Sequence, residues 1–172
     1  MMPISSAIPD GLVWSKISGK HGYELKRNGE NFGSLWRTSF WSSEFQAESP
    51  HGRWRFRRTG CFHTATEIVD SDSNSRIAIL EPNWSGGGTL VFTDGMRFRL
   101  TSKGWWHPVW TVVAESGQPV LSIDSRAKTV ELSKELYLLE GRLILLAMFA
   151  WYVMQQVSED ADSAAAIAVA VS

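Results

Sequence analysis

The chain has 172 residues, which is enough for one domain with a substantial hydrophobic core. Its 17 basic and 18 acidic residues leave a net charge of -1, so no global field draws it to nucleic acid. A single cysteine, Cys61, excludes an internal disulfide framework and a structural zinc site made of cysteines alone.

The first ten residues predict a flexible lead-in to the domain, because they include two prolines and no periodic apolar pattern. They contain neither the basic n-region nor the apolar h-region of a secretory signal. The expected location is therefore cytoplasmic, with peripheral contact to a membrane left open.

Residues 11–132 predict about twelve short strands separated by turns. Asn28-Gly29 and Asp94-Gly95 are the clearest turn signals, because tight hairpins need residues that tolerate positive φ. Regularly spaced short strands with such turns favour an antiparallel barrel or sandwich.

The helix that follows the strands is expected to fill the core. Its stretch from Leu143 to Val153 has no charge and no polar face, which is typical of a helix buried in a core or a membrane. A membrane span needs about 20 apolar residues, and extending this one would bring in Glu140 and Arg142. A central core helix is therefore predicted. Its core side chains are predicted to be Leu143, Leu146, Phe149 and Trp151.

The domain is expected to cover residues 11–156. The helix is predicted to begin near Ser133, which would serve as its N-cap, or at Glu140. Residues 157–172 turn acidic and then alanine-rich, and they predict a tail beyond the domain.

About twelve antiparallel strands followed by one wholly apolar helix resemble the tubby C-terminal-like superfamily. Its members include tubby-like proteins, phospholipid scramblases and the LURP-one-related proteins, and the small LURP-one-like members are the most similar. The resemblance covers residues 11–156 and rests on strand order, on the hairpin at 92–98 and on the helix at 143–153. It implies a closed β-barrel around a central hydrophobic C-terminal helix, and a lipid-related role.

This chain also departs from that superfamily. It lacks the cysteine-rich lipidation segment and the proline-rich N-terminal region of scramblases. The phosphoinositide-binding basic residues of tubby proteins have no assignable counterparts, so the resemblance implies no site residues.

Arginines provide the leading candidate for a lipid- or anion-binding surface. Arg53, Arg55 and Arg57 share one face of a predicted strand, and Arg97 and Arg99 share one face of another. If the two strands are neighbours, five guanidiniums would face an anionic lipid headgroup, because guanidinium matches phosphate geometry. The favoured alternative is a solvated outer face with acidic partners on adjacent strands.

Trp105 and Trp106 lie in a predicted loop beside Lys103. Exposed tryptophans near a cation would suit a membrane interface. The favoured prediction is instead that they plug one end of the barrel.

Three other motifs favour structural roles. The glycines at 86–88 lack the Lys-Ser/Thr of a phosphate loop and predict a turn. Cys61 and His63 are predicted to be a passive pair rather than a nucleophile and its base. Asp70 and Asp72 begin like a calcium loop, but without the glycine and distal glutamate that complete one, and they predict a solvated turn.

No catalytic triad, metal cluster or nucleotide fingerprint appears, so the prediction is a non-enzymatic barrel without a cofactor or metal. Its outer surface is expected to bind an anionic phospholipid peripherally, or a protein partner, and no nucleic acid. The alternative is a lipocalin-like carrier of a small hydrophobic ligand, because Gly11–Trp14 approximates the lipocalin Gly-x-Trp start. A tail-anchored membrane protein is the third possibility.

Overall fold

The computed structural model describes residues 11–60, 65–84, 86–133 and 140–171, and it shows a mainly β fold with one long helix. Cys61 and His63 lie outside these residues. The strands are β1 (Leu12–Lys16), β2 (Gly22–Arg27), β3 (Glu30–Arg37), β4 (Phe45–Ser49), β5 (Gly52–Thr59), β6 (Ala65–Asp70), β7 (Arg76–Pro82), β8 (Gly88–Phe92), β9 (Arg97–Lys103), β10 (Val109–Ala114), β11 (Pro119–Asp124) and β12 (Thr129–Leu132), and they are followed by α1 (Glu140–Val171).

The strands form a closed antiparallel barrel, which confirms the predicted fold class. Each strand pairs with the next one in the chain, and β12 pairs with β1 to complete the ring. At this junction Leu12 lies opposite Val130. Among the described residues, closure pairs every strand with a neighbour on both sides, as removal of sheet edges requires.

The apolar part of α1 fills the lumen of the barrel. Every residue from Leu143 to Met154 is buried, including the four predicted core side chains. Aromatic rings join the helix to the strands: Trp151 stacks on Trp14 with ring centroids 5.1 Å apart, and Phe149 meets Phe56 edge-on at 5.2 Å. The helix needs no polar face, because strands surround it on all sides.

The helix is longer than the sequence predicted. It continues to Val171, so residues 157–171 are helical where a tail was expected. From Ser158 onward the helix is exposed. Alanine has the highest helix propensity, and extending an existing helix avoids the cost of nucleating a new one.

Two glycines at the start of β8, Gly87 just before it and Gly88 as its first residue, allow three strands to approach closely. A Cβ on Gly87 would lie 2.0 Å from the carbonyl oxygen of Leu100, and a Cβ on Gly88 would lie 2.2 Å from that of Glu81. Both partners are backbone atoms, which cannot rotate away as a side chain can. Positions 87 and 88 therefore require glycine, because any side chain there would clash with the backbone of a neighbouring strand.

Tyr152 is a buried polar group of α1 whose environment predicts a pH effect. Its hydroxyl donates to the carbonyl oxygen of Ser43 at 3.0 Å, and burial raises its pKa above the usual value of 10. A raised folded-state pKa contributes stability that is present below pH 10 and lost as the pH rises further.

We therefore expect the free energy of unfolding to fall above pH 10 more steeply in the wild type than in Tyr152→Phe. The two slopes should differ by up to about 1.4 kcal/mol per pH unit. Urea unfolding at pH 9, 10 and 11 measures this difference, and parallel slopes would contradict it.

Candidate functional site

One end of the barrel is marked by the emergence of α1. Because each strand runs antiparallel to the one before it, the connections between strands alternate between the two ends of the barrel. The connections that follow odd-numbered strands therefore all lie at the same end. At that end the hydroxyl of Tyr23, at the start of β2, donates to Gln155 of the helix at 3.0 Å. At the opposite side Arg142 donates to Asp94 in the β8–β9 turn at 2.7 Å. We call the first side the exit end. Its described connections are residues 17–21, 38–44, 60, 83–84, 86–87, 104–108 and 125–128.

The strongly exposed tryptophans of the described chain all lie at the exit end. Trp41, Trp84, Trp105 and Trp106 are each at least 83% exposed, and Phe40 beside them is 61% exposed. They come from three different connections: β3–β4, β7–β8 and β9–β10. Exposed aromatics of this size at a single end of the barrel favour an interaction surface there, because their hydration is unfavourable.

The prediction that Trp105 and Trp106 plug the barrel is wrong. The interior of the barrel at the exit end is already filled by buried side chains, namely those of Trp110, Trp151 and Met154. The β9–β10 connection therefore lies outside the mouth, with its indoles exposed. The alternative interpretation, exposed rings beside a cation, fits these positions.

Two ion pairs hold the emerging helix to the ends of strands. Arg37 at the end of β3 pairs with Glu159, and Arg58 near the end of β5 binds Asp160 at 2.7 Å. The hydrogen bonds from Arg58 to the Asp160 carboxylate raise the pKa of the guanidinium. These pairs compensate two of the acidic charges that follow the buried part of the helix.

The predicted five-arginine surface does not form, because its two strands are not neighbours. Strands β6, β7 and β8 separate β5, which carries Arg53, Arg55 and Arg57, from β9, which carries Arg97 and Arg99. Each short run of arginines therefore faces outward on its own part of the wall.

The arginines of β5 also have partners on adjacent strands or turns. Arg53 pairs with Asp72, and Arg55 binds the side chain of Asn74. Arg57 lies 3.2 Å from Glu67, a buried carboxylate. This is the arrangement of the favoured alternative, a charged outer face with cross-strand partners.

The aspartate-rich turn between β6 and β7 is closed by its own hydrogen bonds. The Asp70 carboxylate accepts the backbone N–H of Ser73 at 2.7 Å and that of Asp72 at 3.1 Å. The bond from Ser73 is the main cause that lowers the Asp70 pKa. Within the described ranges, no group of three His, Cys, Asp or Glu side chains is placed to hold a metal ion.

No protein-family model, curated protein or solved structure matches the chain. Among the described residues, the helix falls short of the length and apolar character that crossing a membrane requires. The exit end, with its exposed aromatics, is thus the surface from which a function can be inferred.

Proposed function

We propose that the protein binds the surface of a phospholipid membrane peripherally through its exit end. The observation that carries this proposal is the gathering of Trp41, Trp84, Trp105 and Trp106 at one end of the barrel. Indole rings favour the membrane–water interface, where the apolar body is buried and the N–H stays near polar headgroups. A full ring buries roughly 200 Å², worth on the order of 5 kcal/mol.

The exposed part of α1 supports the same orientation. Residues 163–171 carry no charge and include the exposed side chains of Ile167, Val169 and Val171. This segment is about 13 Å long at 1.5 Å per residue. One leaflet of a bilayer has a hydrocarbon layer of about 15 Å. The segment therefore matches one leaflet in depth, with the tryptophans of the barrel end near the headgroups.

Lysines at the exit end provide the contact with anionic lipid. Lys16, Lys20, Lys103 and Lys128 are exposed, and among the described residues no carboxylate lies within ion-pairing distance of them. An ammonium near an anionic membrane surface contributes about 1 kcal/mol, and salt screens this attraction. Binding is expected to be stronger for anionic vesicles and to weaken as salt is added.

Sedimentation with vesicles tests the proposal. We expect the wild type to sediment with vesicles of phosphatidylcholine and phosphatidylserine, and serine substitution of Trp41, Trp84, Trp105 and Trp106 together to reduce partitioning by at least about tenfold. The matched control, Val13→Ser, removes an exposed apolar side chain from the barrel wall and should bind as the wild type does.

The arginine hypothesis is tested in the same assay. Changing Arg53, Arg55 and Arg57 to Gln should leave vesicle binding within about twofold of the wild type, because these charges already have protein partners. A large loss in this variant, with binding retained in the tryptophan variant, would move the contact surface to the wall. Absence of binding to any vesicle would favour a protein partner.

The family relationship is part of the proposal. A closed barrel of twelve strands around a buried apolar helix supports membership of the tubby C-terminal-like superfamily.

The lipocalin-like alternative is disfavoured, because α1 occupies the lumen. The gap beside Leu146 and Phe149 measures only about 10 Å³.

A further inference from the structure

A hollow of about 570 Å³ lies at the exit end between α1 and the β9–β10 connection. Trp110, Trp151 and Met154 contribute apolar surface to it, and Trp105 and Trp106 form part of its wall. Pockets that bind small molecules have similar volumes and similarly apolar linings. This hollow is separate from the lumen, which α1 fills.

The charges that line the hollow have one sign. Lys16 and Lys128 contribute to its lining, and none of its described lining residues is acidic. An ammonium flanked by tryptophans and unopposed by a carboxylate favours an anionic group. The lining therefore combines apolar walls with two cations.

The apolar side of the hollow is formed by largely buried side chains. Trp110 and Trp151 are each only 2% exposed, and Met154 is 7% exposed. The Nε1 atoms of the two indoles are themselves buried, so the part of each indole that lines the hollow is apolar ring carbon. This side of the hollow therefore favours an aliphatic chain over a polar group.

We propose that this hollow binds a small anionic amphiphile, an aliphatic chain that carries a carboxylate or a phosphate monoester. Its head group lies near Lys16 and Lys128, and its chain packs against Trp110, Trp151 and Met154. The site shares Lys16, Lys128, Trp105 and Trp106 with the proposed membrane contact, whereas Trp41 and Trp84 belong to that contact alone and do not line the hollow.

Calorimetric titration with decanoate below its micellar concentration, in the absence of membranes, tests the site. We expect decanoate to bind the wild type at least about tenfold more tightly than decanol, which has the same chain without the charge. Lys16→Met with Lys128→Met should lower decanoate affinity to that of decanol. The control pair Lys20→Met with Lys103→Met should leave it unchanged, because neither lysine lines the hollow.

A second variant tests the location without changing a charge. Ala161 is exposed and lines the hollow, so Ala161→Trp should obstruct it without disturbing the fold and should abolish binding of both ligands. Equal affinity for decanoate and decanol, no binding of decanoate, or undiminished binding in Ala161→Trp would each overturn the proposal.

Vesicle binding distinguishes this site from the membrane contact. Trp41→Ser with Trp84→Ser should weaken sedimentation with vesicles and leave decanoate binding intact. If the wild type binds no decanoate in solution but Lys16→Met with Lys128→Met weakens binding to anionic vesicles, the lysines recognise bilayer headgroups only. That outcome overturns the inference of a site for a free amphiphile while supporting the proposed function.

Discussion

Leu146→Asp is expected to leave the protein unfolded at 25 °C. The Leu146 side chain is 1% exposed and lies on the helix that fills the barrel. An ionised aspartate there would be a buried charge without a partner, and a protonated one would lack hydrogen-bond partners. Either form would also lose the apolar packing of the leucine side chain. The combined cost of several kcal/mol approaches the whole stability of a typical domain, about 5–15 kcal/mol.

Circular dichroism and thermal unfolding of the purified variant measure this effect, and Phe149→Asp should behave in the same way. Ile167→Asp is the matched control, because it introduces the same acid into the same helix at a position that is 66% exposed. It should melt within a few degrees of the wild type. A Leu146→Asp variant that folds and melts like the wild type would contradict the central position of the helix.

Gly87→Ala is expected to destabilise the barrel by about 3 kcal/mol or more. The added Cβ would lie 2.0 Å from the Leu100 carbonyl oxygen, far inside van der Waals contact. Relief requires moving β9 or the residues before β8, and both belong to a closed ring in which every strand is paired on two sides. The midpoint of urea unfolding measures the loss.

Gly95→Ala separates the steric cost from the conformational cost of replacing glycine. Gly95 has a φ of +91°, but a Cβ there would meet no atom within 4 Å. Its substitution should cost only about 1–2 kcal/mol, from left-handed backbone strain. If Gly87→Ala costs no more than Gly95→Ala, the close approach of the strands is not what requires the glycine.

Local patterns in the sequence were sufficient to predict the antiparallel strands and the central helix, whereas closure into a barrel rather than a sandwich was implied by the family resemblance. Alternating side chains mark the two faces of a strand, and an uncharged stretch such as Leu143–Val153 belongs in a core whatever surrounds it. Antiparallel hairpins then need only short turns to place each strand beside the next. These features depend on residues that are close in sequence.

The candidate site depended on information of a different kind. Alternation shows that Arg53 and Arg97 face outward, but it does not show which strands are neighbours. Whether Trp105 covers the exit end of the barrel depends on how far Trp151 fills that end, and these two residues are about 45 positions apart in the sequence. The same applies to the hollow, whose lining includes Lys16, Lys128 and Trp151. The composition held an unused signal: of nine tryptophans in the sequence, only Trp14, Trp54, Trp110 and Trp151 are buried among the described residues.

The position of α1 after all twelve strands has a consequence for biosynthesis. A ribosome adds roughly 5–20 residues per second, so the first strands are synthesised on the order of ten seconds before the helix that fills the barrel. During that interval the inward-facing rings of Trp14 and Phe56 lack the helical partners that they contact in the folded protein. Stable packing of these rings must therefore await synthesis of the helix.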